Sequence, residues 1–197
     1  MRIIAGEHRG RRIEAPRGRA TRPMLDRMRE ALFNTLSPWI DGGRVLDLFA
    51  GSGSLGLEAL SRGAASARMV DRGADALKAL RSNVELLRVG DRTEVVRGDA
   101  LEPALWGPVG AWEAGSEDAR YDIVFLDPPY PTVEDPAGRK LLLDRVEQLV
   151  ANALASDGVL VLHAEKRRAR ELAEADSEWE LRLYGSSALL YKEGRST

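Results

Sequence analysis

The sequence predicts an α/β chain whose mainly parallel sheet is covered by helices on both faces. Three observations predict it. Apolar strand patterns alternate with amphipathic helical patterns along most of the chain. A glycine loop, Gly-Ser-Gly-Ser-Leu-Gly at 51–56, joins an apolar strand to a helix. A second apolar strand, Asp-Ile-Val-Phe-Leu at 122–126, runs into Asp127-Pro128-Pro129-Tyr130. Proline cannot donate to a ladder, so the strand must end in a stiff turn. That turn lies at the carboxyl end of a strand, the edge where open α/β sheets bind ligands.

Taken in order, residues 2–14 read as a short hairpin with Gly6 and Gly10 as its turn residues, followed by an irregular basic linker. Pro23 suits a first helical position, and Met24, Leu25, Met28, Leu32 and Leu36 keep helical spacing to about 36. Arg27, Glu30 and Asn34 share the other face of that helix. Strand 44–50 then enters the glycine loop, and a helix over about 54–61 stops at Gly63. A second strand covers 67–71, a helix 74–89 and a third strand 93–99. Residues 103–120 carry Pro, Gly and Trp without periodicity and read as a surface loop or short helix. Burial of Trp106 and Trp112 against the body is favoured there over contact with a partner. Strand 121–127, a helix near 138–155, strand 158–164 and a charged helix over 166–175 follow. Two last strands, near 178–184 and 187–192, form an antiparallel edge. The organisation is a basic extension over 1–22 and one main domain over 23–197.

Composition narrows the chemistry. The 197 residues contain no cysteine and two histidines, which excludes disulfides and leaves too few ligands for a zinc site; no metal is expected. No apolar run approaches membrane-spanning length, so a cytoplasmic protein with no membrane partner is expected. The net charge of −2 is unevenly spread. Residues 1–30 hold nine arginines against Glu7, Glu14, Asp26 and Glu30, a balance of +5 that leaves −7 for the rest. A basic arm on an acidic body suits a polyanion such as nucleic acid; an arginine-rich solvated surface is the plainer alternative.

Gly51, Gly53 and Gly56 fit the spacing of a dinucleotide loop, with free N–H groups at the following helix N-terminus. Asp71, twenty residues after Gly51, stands where a carboxylate accepts ribose hydroxyls. Asp47, however, lies inside the first strand, where its charge would repel a pyrophosphate and attract a cation. S-adenosylmethionine carries an ammonium and a sulfonium and no phosphate. Asp99, ending the third strand, is placed to accept from an adenine amino group. Capping carboxylates are the plainer alternative for Asp47 and Asp99.

The proline turn suggests the reaction. The exocyclic amine of a nucleobase is a poor nucleophile because its lone pair is delocalised into the ring. Two acceptors holding its N–H bonds favour the pyramidal nitrogen of the transition state, and Asp127 with the Pro128 carbonyl is a suitable pair. Tyr130 offers a π-face on which a flipped base stacks. Of the histidines, His8 sits in the basic turn, and His163 ends the fifth strand as a structural hydrogen-bonding residue.

The segments Val-Leu-Asp-Leu-Phe-Ala-Gly-Ser-Gly-Ser-Leu-Gly (45–56) and Asp-Ile-Val-Phe-Leu-Asp-Pro-Pro-Tyr (122–130) resemble amino-methyltransferases of the Rossmann-like class I S-adenosylmethionine type. With "MRIIAGEHRGRRIEAPRG" and "TRPMLDRMREALFNTL" the chain is similar to the bacterial 16S ribosomal RNA guanine-N2 methyltransferase family, RsmD. The resemblance implies a seven-stranded sheet, beside the N-terminal β-hairpin extension read above; a monomer is expected. Its implied partner is 16S ribosomal RNA within a 30S subunit or assembly intermediate. S-adenosylmethionine is the implied donor, becoming S-adenosylhomocysteine. It puts Asp47, Gly51, Gly53 and Asp71 around the cofactor and Asp99 near its adenine. Asp127, Pro128 and Tyr130 would face the guanine, and Arg9, Arg11, Arg12, Arg22 and Arg27 would contact RNA or the cofactor-side entrance. Met24, Asp71 and the long 103–120 segment depart from the family pattern. Three alternatives stay open: a DNA adenine-N6 methyltransferase, which the lack of a target-recognition domain disfavours; an NAD-dependent dehydrogenase, which leaves Asp47 unexplained; and a non-catalytic RNA-binding assembly factor.

Overall fold

The computed structural model describes residues 1–16, 24–107 and 120–194. Its helices and strands, in chain order, are α1 (Asp26–Thr35), α2 (Ser37–Ile40), β1 (Arg44–Leu48), α3 (Ser54–Ser61), β2 (Ser66–Asp71), α4 (Ala74–Leu87) and β3 (Thr93–Arg97). They continue with β4 (Tyr121–Leu126), α5 (Tyr130–Glu134), α6 (Pro136–Asn152), β5 (Leu154–Glu165), α7 (Lys166–Ala175), β6 (Glu180–Tyr184) and β7 (Ser187–Glu193). The strands form one seven-stranded sheet in the order β3-β2-β1-β4-β5-β7-β6. The first five are parallel, while β7 pairs antiparallel with β5 and with β6. The order reverses between β1 and β4, so their carboxyl ends diverge into a crevice there.

Side chains alternate across each strand, and this divides the core in two. Val45, Met69, Ile123, Phe125, Val159 and Val161 face α1, α3 and α4. Leu46, Leu48, Val124, Leu126, Leu160 and Leu162 face α6 and α7. Asp47 shares the parity of Val45 and is a buried polar residue on that otherwise apolar face, 1% exposed.

The N-terminal residues make a loose antiparallel loop with a single bridge between Arg2 and Arg12. Its inner side chains Ile3 and Ile13 are buried in the α1 face of the core. Glu58, itself buried in α3, accepts the Ile4 and Ala5 N–H groups at 2.7 and 3.0 Å. Arg29 of α1 is also fully buried and donates to the Arg2 carbonyl at 2.5 Å. The basic arm is therefore fastened to the body by a buried charge on each of two helices.

Several boundaries differ from the sequence expectation. Helix α1 starts at Asp26, after an extended Leu25 (φ −63°, ψ 144°); Pro23, expected as its first residue, lies outside the described residues. Strand β1 ends at Leu48 because Phe49 turns to φ +66°. Helix α4 closes on Arg88 at φ +56°, two residues before Gly90. The proline turn is followed by α5, then by α6, capped by Asp135, which accepts the Gly138 N–H at 2.7 Å. Strand β5 begins at Leu154, four residues early, because Leu154 pairs with Tyr121 before a register shift. In the loop after β3, Trp106 is buried with its indole N–H donating to the Ala100 carbonyl at 2.9 Å; Trp112 lies outside the described residues.

Candidate active site

The loop after β1 is wound tightly. Phe49, Gly51 and Gly53 have φ of +66°, +58° and +77°. This region suits glycine but strains a bulky residue, and such strain collects at functional sites. A Cβ on Gly53 would lie 2.3 Å from Leu80 Cδ1, whereas one on Gly51 would meet nothing closer than 3.9 Å. Gly53 thus serves close packing beneath the loop. Gly51 presents bare backbone to open space, where a ligand can approach.

Two carboxylates hold this loop. Asp47 accepts the Gly56 N–H through Oδ2 at 2.9 Å. Burial pushes its carboxyl up to about 7, opposed by the Gly56 N–H and reinforced by the negative charges of Asp127 and Asp71. Asp71, at the end of β2, accepts the Gly51 N–H at 2.8 Å and the Gly73 N–H at 2.7 Å, one on each oxygen. Each oxygen keeps a second lone pair for a further donor. Asp99 follows β3, accepts the Leu101 N–H at 3.0 Å and meets the Arg72 guanidinium at 3.4 Å. Carboxylates at the ends of four neighbouring strands make this edge suited to a cationic, phosphate-free ligand.

The turn after β4 forms the other half. Asp127 continues the sheet by one bond, donating its N–H to the Leu48 carbonyl at 3.3 Å, before Pro128 and Pro129 end the strand. Tyr130 opens α5 and is 37% exposed. Glu134 closes α5 and accepts from Arg168 of α7 at 2.8 Å, which fixes the helix that carries the tyrosine. A cleft of about 670 Å³ opens above Tyr130, walled by Leu25, Arg27 and Met28 at the start of α1 and by Tyr184 at the β6–β7 turn. His163 also lines it. Its Nδ1 lies 2.7 Å from Asp127 Oδ1, and the side chain is 7% exposed.

Of the residues singled out from sequence, Asp47, Gly51, Gly53, Asp71, Asp99, Asp127, Pro128 and Tyr130 gather at the carboxyl edge of β1–β4. Of these Tyr130 lines the cleft, and Arg27 lines it as well. The turn carrying Arg9, Arg11 and Arg12 is at the opposite edge. Glu7 N–H donates to the Ser61 carbonyl at 2.8 Å, and Arg11 Nη1 to the Leu86 carbonyl at 3.4 Å, both at helix ends beside the starts of the strands. Arg22 lies outside the described residues. Sequence reasoning read His163 as a structural hydrogen-bonding residue without its partner, and did not place the β6–β7 turn at the cleft. The signal for His163 was available once β4 and β5 were neighbours: Leu126 pairs with Leu162, so the next residues along are Asp127 and His163.

The chain is similar over most of its length to known proteins. Residues 1–192 match the family described as Conserved hypothetical protein 95. A Bacillus subtilis (strain 168) protein, provisionally named rRNA methyltransferase YlbH, is 40% identical over 174 residues, 88% of this chain and 86% of its own. The Ribosomal RNA small subunit methyltransferase D of Escherichia coli (strain K12) is 34% identical over 181 residues, 92% of this chain and 82% of its own. A solved Escherichia coli structure, provisionally described as methyltransferase yhhF, matches with a TM-score of 0.74 at 33% identity, covering 100% of this chain and 99% of that one.

Proposed function

The chain belongs to the family described as Conserved hypothetical protein 95, and from that premise we propose that it methylates the exocyclic N2 amine of a guanine in 16S ribosomal RNA, using S-adenosylmethionine. The observation that carries this reading is the Asp127 carboxylate. It sits at the strand edge beside the cleft, with one oxygen held by His163 and the other not engaged by His163. The residues fit the cofactor: the cluster of Asp47, Asp71 and Asp99 suits a positive charge, and Gly51 leaves its backbone approachable. Asp71 and Asp99 would hold the ribose and adenine, and Asp47 would balance the charge of the methionine portion. When bound, S-adenosylmethionine supplies an electrophilic methyl carbon: the amine lone pair forms the N–C bond as the C–S pair returns to sulfur.

The protein's part is placement. Asp127 Oδ2 and the Pro128 carbonyl accept the two N–H bonds of the amine, which localises the nitrogen lone pair. Both acceptors are fixed before reaction, Asp127 by its bonds to Leu48 and His163 and the Pro128 carbonyl by the restriction that Pro129 places on the residue before it, so little reorganisation is needed. The proton lost by nitrogen passes to Asp127 or to water. Tyr130 stacks on the base, and Arg27 meets a flanking phosphate at the mouth of the cleft. The names of the relatives support a small-subunit RNA substrate, and a cytoplasmic monomer acting on a 30S subunit or assembly intermediate is the setting we infer.

The test is methyl transfer from labelled S-adenosylmethionine to 30S subunits, naked 16S RNA and duplex DNA prepared from cells lacking the gene. The modified nucleotide is then mapped by mass spectrometry. Label in a guanine N2 of 16S RNA supports the reading. Label in DNA adenine, or cofactor binding without transfer to any of the three, overturns it.

A further inference from the structure

Asp127 and His163 leave adjacent parallel strands at the same register level and turn to the same face of the sheet. Their contact is short, 2.7 Å from Nδ1 to Oδ1. The pair is also asymmetric: the Asp127 side chain is 37% exposed and that of His163 only 7%. An ionised carboxylate only accepts, so the shared proton belongs to Nδ1 of His163. That proton is presented by a ring buried in the sheet. Nε2 is buried and has no hydrogen-bond partner among the described residues. Among the described residues no other bond therefore competes for the orientation of the imidazole.

A carboxylate at a strand end has two rotatable bonds, and this one lies close to the carboxyl of Asp47. Left alone it would swing away from that group toward solvent. The bond from His163 opposes that swing. We propose that His163 is a positioning residue of the methyl transfer: its Nδ1–H holds the Asp127 carboxylate in the rotamer that turns Oδ2 toward the incoming amine. The inference rests on the function proposed above and deepens it. Glycine loop, proline turn and aromatic face bring cofactor and base together, and the histidine fixes the one acceptor whose direction the backbone does not set.

Three variants separate positioning from packing. His163→Phe fills the space with no N–H, His163→Ala removes both, and His163→Asn returns an N–H close to the Nδ1 position. Turnover on 30S subunits, KM for the subunit, S-adenosylmethionine affinity by calorimetry and the melting temperature are measured for each. Nitrogen-15 NMR of the cofactor-free wild type reads which ring nitrogen carries the proton. The expected result is a protonated Nδ1 whose signal shifts in Asp127→Ala. For His163→Phe and His163→Ala, kcat falls about 10- to 100-fold while cofactor affinity is retained, and His163→Asn recovers most of the loss. A His163→Phe enzyme as fast as wild type overturns the inference alone, and so does an unprotonated Nδ1. A wild-type protein that methylates no ribosomal RNA overturns the proposed function and the inference with it.

Discussion

Asp71 at the end of β2 accepts the Gly51 N–H at 2.8 Å, so the conformation of the glycine loop after β1 is held by the neighbouring strand. The same carboxylate holds the Gly73 N–H at the start of α4. Asp71→Ala strands both donors at once, and each left unpaired in a half-buried place costs about 1–3 kcal/mol. The expected outcome is a lower melting temperature together with weaker S-adenosylmethionine binding, at unchanged affinity for RNA. Calorimetry and thermal unfolding check it; unaltered cofactor affinity would remove Asp71 from the cofactor site.

Asp127→Ala deletes the acceptor beside the cleft while leaving the glycine loop untouched. We expect turnover to fall about 100- to 1000-fold, the scale seen when one preorganised partner of a reacting group is lost. Cofactor affinity should stay near wild type, because Asp127 makes no bond to the loop. Equal losses in turnover and cofactor binding would contradict the assignment.

Burial raises Asp47 to about 7, with Asp127 and Asp71 adding to the effect. The sign follows from linkage. Below the ordinary carboxylate range Asp47 is protonated whether the chain is folded or not. From there up to about 7 the unfolded chain releases the proton that the folded one keeps, so stability falls with rising pH. A cationic cofactor favours the ionised form. Its affinity should therefore rise with pH, by up to about tenfold per unit, and level off above 7, with a proton released on binding at lower pH. Asp47→Asn should flatten both profiles. Titrations in buffers of different ionisation enthalpy count the proton, and zero release at pH 6 would refute the coupling.

Replacing Arg9, Arg11 and Arg12 with alanine should weaken RNA binding and reduce its salt dependence, since each phosphate contact releases counterions. Because that turn is docked at the far edge of the sheet, kcat at saturating RNA should not change. Arg27→Ala, at the cleft mouth, should by contrast lower turnover even at saturation. An unchanged salt slope in the triple variant would return the arm to a solvated surface.

Much of this was legible along the chain because it depends on local physics. Apolar alternation marked the strands, Gly63 marked the end of α3, and the two prolines marked the end of β4. The glycine spacing together with Asp47 pointed to a cationic ligand, a matter of charge and reach within nine residues. One boundary slipped where a tertiary contact overrode local preference: Leu154 joins β5 because Tyr121 pairs with it. Leu25, which the spacing read as helix, stays extended and 68% exposed.

The sequence by itself determined which chemical groups exist and which short segments present them: the carboxylates at the strand ends, the bare backbone at Gly51, the stiff acceptor turn with its tyrosine. Only the tertiary structure decided who stands next to whom. It set His163 against Asp127, thirty-six residues away in the chain, and sent the basic turn to the edge farthest from the chemistry. The physical reason is that strand order and register are fixed by the joint burial of both faces of the sheet. That quantity belongs to the whole packed core and is not written in any one window of sequence.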